Sequence, residues 1–368
     1  MAPPEADGRA ATPPLPDPAT FLDDPRFHRT FALPAGPDRP HPLQVTYSDY
    51  GYRDPEDPDR ERVLLLCGPL MGSRLLHVAK DALAKRHRVR VVHPDRPGFG
   101  GTTPVPAADR VRVWLETVPA LLAHLGVRRV SVAAHSGGTV YALNTLLSLR
   151  HLLGGGGEAA AGRPYVALVA PWIHPSRSGV ALMRAAAALP DAVLGRFDAL
   201  AGVFQGVDRV FSESVQGLGQ EAILLLKRDG HPGYWGPWGD HDGLVALLAE
   251  AEAELGAAAG GGGGSGGGQR LKVDVYFAEA DHMIGAGEGP RWFEDCWRAE
   301  RRGGLIDFSS RVVPGTDHDG IMDLRFGVFE SILRQVARFL GTSSFWCRGG
   351  PGLRVLGVRF WCLSAGGP

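Results

Sequence analysis

The chain has little cysteine: four residues in 368, at 67, 296, 347 and 362, with no Cys-x-x-Cys pair. That argues against a disulfide framework or a cysteine metal site, and it suits a reducing compartment. Long hydrophobic runs are missing too, and no stretch approaches the roughly 20 apolar residues that span a bilayer. Net charge is nearly absent, at −1 from 39 basic and 40 acidic residues. Bulk electrostatics therefore makes no case for a nucleic-acid or acidic-membrane partner. No GxxxxGK[ST] or GxGxxG stands between a strand and a helix, so the glycine tracts at 154–157 and 260–264 read as loops. The N-terminal MAPPEADGRAATPPLPDP has prolines and acids but no apolar segment, which fits neither a secretory signal nor a transit peptide. A cytoplasmic protein is expected.

What is present is strand–helix alternation. Residues 1–25 read as a disordered Pro/Ala-rich tail. Strand-like segments follow near 28–36 and 43–50. RVLLLCG (62–68) is a continuous apolar run, as in a strand buried on both faces. The order then runs helix (72–86), strand (87–95), helix (111–125), strand ending at 134, helix, strand (165–172). The stripe Val111, Trp114, Leu115, Val118, Leu121, Leu122, Leu125 marks one of these helices, and Pro119 inside it implies a kink or a late start. The alternation predicts an α/β fold, a mainly parallel sheet flanked by helices. It pauses over 174–258, which reads as a helical cap, and over a Gly-rich linker at 259–268. Strands resume at 272–281 and 306–315, and a last helix spans roughly 321–340. The core is thus 26–173 plus 269–340, and a Gly/Arg-containing tail fills 341–368.

VSVAAHSGGTVYALN (130–144) puts one Ser between a buried strand and a helix, among small residues. Acyl transfer at Ser needs such exposure, plus a general base, an acid to orient that base, and N–H donors for the oxyanion. The G-x-S-x-G pattern has Ala134 in its first position here. An acid and then a His are expected later in the chain. Asp281 closes one strand and His318 follows another, in that order. Glu279 is the rival acid. Asp317 and Asp319 read as loop residues. Gly137, next after Ser136, is the first candidate donor. The second comes from the loop Gly68-Pro69-Leu70-Met71-Gly72, where Pro69 has no N–H; Leu70 is preferred and Met71 is the reserve. Cys67 reads as a buried strand-end residue, His135 as a packing residue pointing away from the site, and His77 and His93 as ordinary.

CGPLMGSR (67–74), DRPGFGGT (95–102), AHSGG (134–138), AEAD (278–281) and TDHDG (316–320) together resemble the α/β-hydrolase superfamily, in its form with an inserted helical cap. The resemblance implies Ser136, Asp281 and His318 as catalytic triad. Epoxide hydrolases and dehalogenases of this fold carry Asp at the elbow, which Ser136 lacks. Cys67 replaces the family's common His. The expected activity is hydrolysis of a carboxylic ester or related acyl bond of an apolar small molecule, without cofactor or metal. Met71, Trp172, Trp235 and Trp238 are expected to face the substrate. Lactonase, thioesterase, C–C hydrolase and lyase chemistry use the same triad, and a non-catalytic ligand- or partner-binding relative is the reading from another class. The paired Asp-His-Asp-Gly stretches at 240–243 and 317–320 lack dedicated metal spacing.

Overall fold

The computed structural model describes residues 18–154, 163–197, 213–226, 234–258 and 270–338. The linker at 259–268, the tail from 341 and residues 1–17 lie outside the described residues, as do parts of 174–258. Eight strands form one sheet in the order β1-β2-β4-β3-β5-β6-β7-β8. They are β1 (Arg29–Leu33), β2 (Leu43–Gly51), β3 (Val63–Cys67), β4 (Arg90–Pro94), β5 (Ser131–His135), β6 (Tyr165–Val169), β7 (Leu271–Ala280) and β8 (Ile306–Asp317). β2 runs antiparallel to its neighbours β1 and β4, and every other pairing is parallel.

The central strands are apolar because both of their faces are covered. Val63, Leu65 and Cys67 of β3 join one core with Val132 and Ala134 of β5. Leu64 and Leu66 join the other, with Ala133 and Ala167. The first face is covered by α3 (Arg110–His124) and α4 (Gly138–Ser148), the second by α2 (Asp81–Arg86) and the last helix. Between β6 and β7 stand α5 (Pro175–Ser178), α6 (Ala181–Ala187), α7 (Asp191–Leu194), α8 (Leu218–Leu225) and α9 (His241–Ala258). After β7 come α10 (Glu288–Cys296), α11 (Ala299–Arg302) and α12 (Val328–Arg338). No helix among the described residues is long and apolar enough to cross a membrane.

Several expected elements differ. The helix expected over 72–86 forms only from Asp81, because the Arg74 N–H is taken by the Asp95 carboxylate at 2.5 Å and the Arg74 carbonyl by Ser48 Oγ. Pro119 neither delays nor divides α3, which starts at Arg110. β6 stops at Val169, where Ala170 turns into the left-handed region at φ 42°. The last helix starts at Val328, not 321. Before it come two tight turns, one capped by Asp323, and Gly327 at φ 66°. At the N-terminus the expected disorder does not extend to residue 25: a helical turn, α1 (Pro18–Phe21), sets Phe21 against Phe27 with ring centroids 5.2 Å apart.

Candidate active site

β3 lies between β4 and β5, so the chain leaves β3 for one neighbour and later returns beside it on the other. Ligand crevices form at such reversals, beyond the carboxyl ends of the strands. The turn after β5 and the loop after β3 meet there. Ser136 occupies that turn at φ 51°, where a side chain strains the backbone by about 1–3 kcal/mol. Its N–H is bonded to Val169 O at 3.0 Å, and its carbonyl accepts from Thr139 N at 2.9 Å and Trp172 N at 3.3 Å. The backbone is thus pinned from both sides, which holds the strained conformation. Close packing requires glycine at 138: a Cβ would lie 2.2 Å from Cys67 O and 2.6 Å from Gly68 O.

Three residues expected from the sequence come together. His318 Nε2 lies 2.7 Å from Ser136 Oγ, and His318 Nδ1 lies 2.7 Å from Asp281 Oδ2. The Asp281 Oδ1 accepts the N–H groups of Met283 and Ile284, each at 2.8 Å, so the carboxylate is aimed by its own loop. With Asp281 ionised, Nδ1 carries the proton it donates, and Nε2 is left to accept the Ser136 hydroxyl hydrogen. All three residues are buried, Ser136 to 3% exposure. Glu279, the rival acid, is exposed and accepts the Gly315 N–H at 2.8 Å. Asp317 closes a local turn on the Gly320 N–H.

Gly137 opens α4, at the positive end of the helix dipole. The Leu70 nitrogen lies 3.5 Å from the point that a Cβ on Gly137 would occupy, so both expected donors border one spot. Met71 is 41% exposed on the same loop. Trp172 donates its backbone N–H to Ser136 O and to Thr139 Oγ1, beside the elbow, while its ring is buried and bonds Leu225 O. Trp235 and Trp238 differ from the expected substrate-facing loop: both are buried, their rings 5.2 Å apart, and Trp235 Nε1 donates to Leu224 O. They pack around His241, whose Nε2 bonds Trp172 O at 2.9 Å.

Behind the site His77, His93 and His135 are all buried. His135 Nε2 donates to the His318 carbonyl at 3.0 Å, so it is more than a packing residue: it bonds the backbone of the neighbouring imidazole. Burial holds His135 and His93 neutral, each pulled down to about 3, and pulls His77 well below its ordinary value. Burial pushes the Cys67 thiol up to about 12, which removes it as a competing nucleophile.

No protein-family model and no curated protein matches the sequence. Solved structures do. A carboxylesterase of the thaumarchaeon Nitrososphaera gargenis superimposes with a TM-score of 0.53 at 14% identity, over 84% of this chain and 98% of that one. A thermophilic esterase from Thermogutta terrifontis gives 0.50 at 15% identity, over 84% and 99%. The chain has the α/β-hydrolase fold. In this α/β-hydrolase fold chain, three side chains near the site escaped the sequence reading. Leu225 of α8 puts its Cδ1 2.7 Å from the Gly137 Cβ position. Arg96 and Glu221 form a buried ion pair at 2.8 Å. Burial raises the Glu221 carboxyl, but Arg110 and Arg96 beside it outweigh that and hold it below its ordinary value. The available signals were the charged Arg inside DRPGFGGT and a lone Glu in the apolar run of α8.

Proposed function

We propose that the chain is a serine hydrolase that cleaves a carboxylic ester or related acyl bond of a small apolar molecule. One observation carries the reading: the His318 imidazole bridges Ser136 Oγ and Asp281 Oδ2, at 2.7 Å each, with Ser136 on a strained turn. Ser136 attacks the acyl carbon while His318 Nε2 takes its proton. The carbonyl electron pair moves to oxygen, which the Gly137 and Leu70 N–H groups receive. His318 returns the proton to the leaving alcohol, and water repeats the sequence on the acyl-enzyme. Asp281 keeps Nδ1 protonated and stabilises the imidazolium. The chemistry calls on no cofactor. Deep burial of Ser136 favours a small substrate over a polymer, and Leu70, Leu225 and Trp172 beside the elbow favour an apolar acyl group. The esterase names of the two structural neighbours agree with acyl chemistry.

A serine-directed fluorophosphonate tests this. It labels the wild type and not Ser136→Ala, and equal labelling of both would refute the assignment. p-Nitrophenyl esters of graded chain length, with lactones and thioesters beside them, then define the bond and the pocket length. His318→Ala lowers kcat by about 10⁴-fold or more with the fold intact, read from ester turnover and circular dichroism.

A further inference from the structure

We propose that Arg96 is a positioning residue that sets the second oxyanion donor, and that Glu221 ties this setting to the seating of helix α8. The inference rests on the serine-hydrolase reading above. Arg96 follows β4 and is 2% exposed. Its guanidinium holds three successive carbonyls of the loop after β3: Gly68 O through Nη1, Pro69 O at 2.5 Å and Leu70 O at 3.1 Å through Nη2. In a trans peptide the carbonyl of one residue and the N–H of the next point in opposite directions. Gripping the Pro69 carbonyl therefore aims the Leu70 N–H away from Arg96, and that nitrogen borders Gly137. Gripping the Leu70 carbonyl fixes the Met71 N–H in the same way. Pro69 removes one N–H from the loop, and Arg96 compensates by orienting those that remain. A cation on the carbonyl side also polarises the peptide and strengthens its N–H as a donor.

Arg96 is itself held. Its Nε pairs with Glu221 Oε1 at 2.8 Å, and its guanidinium lies over the rings of Phe99 and Tyr141, at 5.1 and 5.5 Å from their centroids. Glu221 is fully buried and also binds Arg110 at 2.6 Å and the Tyr141 hydroxyl at 2.7 Å. Glu221 stands one turn before Leu225 on α8, the residue that covers Gly137. The base of α8 also docks on the Arg96 loop: Gly217 N–H donates to Gly98 O at 2.9 Å, and Leu218 packs against Phe99. One helix thus presents Leu225 to the first donor and, through Glu221 and Arg96, orients the second.

The test uses the full chain with Arg96→Ala, Arg96→Lys and Glu221→Gln. A trifluoromethyl ketone accepts Ser136 Oγ at its carbonyl carbon, places the electron pair on oxygen and sends the proton to His318, so its affinity reads the oxyanion site. An apolar alcohol of the same length reads ground-state binding. Both Arg96 variants lower kcat and ketone affinity in parallel by about 100-fold, as for loss of an oxyanion donor, while KM and alcohol affinity move less than about threefold. Glu221→Gln acts in the same direction by about tenfold. Hydrogen exchange of the 68–72 segment rises in each variant. Unchanged kcat, equal losses for ketone and alcohol, or unchanged exchange overturns the proposal. So does failure of both Arg96 variants to fold, which would make Arg96 a residue of the core alone. If the wild type resists the fluorophosphonate, the serine-hydrolase reading falls instead, and the exchange arm still reports whether Arg96 orders the loop.

Discussion

At Gly138 a single hydrogen atom separates the turn after β5 from the loop after β3. A methyl group there meets the Cys67 and Gly68 carbonyls, backbone atoms that move only with β3. Gly138→Ala is expected to cost about 1–3 kcal/mol by overpacking and to slow fluorophosphonate labelling, both measurable on one purified variant. Gly126 is the contrasting case. It sits at φ 67° with nothing within 4 Å of its Cβ position, so Gly126→Ala brings backbone strain of about 1 kcal/mol and leaves labelling untouched. Comparing the two by thermal unfolding separates close approach from conformation. The sequence displayed Ser136, Asp281 and His318 because chain order and strand ends constrain them. It concealed Arg96 and Glu221, since a buried ion pair 125 residues apart has no local spacing to betray it.

Among the elements, α8 carries more of the site than its eight residues suggest. Gly217, just before it, leaves no room for a side chain: a Cβ would lie 2.3 Å from Pro97 O and 3.1 Å from Gly98. Gly217→Ala should lift the helix base, lowering ester turnover by more than about tenfold while the sheet still unfolds cooperatively. Gly256, inside α9, has open space at its Cβ position, and Gly256→Ala is expected to stabilise by about 0.5–1 kcal/mol through helix propensity. A similar loss of turnover in both variants would refute the docking argument. Element existence was largely legible from periodicity, whereas ends were not. The 72–86 segment reads as a helix in the strand–helix alternation, yet Asp95 and Ser48, distant in sequence, claim the backbone groups that a helix would have used.

For the whole molecule, three buried neutral histidines behind the sheet's carboxyl edge make stability depend on pH. Each of His77, His93 and His135 is protonated in the unfolded chain below about 6.5 but resists protonation when folded. The unfolded state then binds more protons, so stability is full above about pH 6.5 and falls as pH drops toward the folded values near 3. Unfolding is expected to take up about one and a half protons at pH 6.5, rising to about three near pH 5, each fully bound proton worth about 1.4 kcal/mol per pH unit. Denaturant midpoints over that window check the slope, and His93→Phe should reduce it by about one proton. A flat profile would show that these imidazoles are reached by water. The sheet order itself was only partly legible: alternation announces parallel strands, but which strand neighbours which depends on packing between faces that no window of sequence contains.

The left-handed turn at Ser136 has a consequence for the lineage of such a chain. Glycine adopts that conformation freely, and glycine and serine codons can differ by one base. Ser136→Gly should therefore raise the melting temperature while abolishing covalent chemistry. Selection for folding alone would favour glycine at this position, whereas the proposed acyl chemistry needs the serine hydroxyl, so the two demands pull in opposite directions.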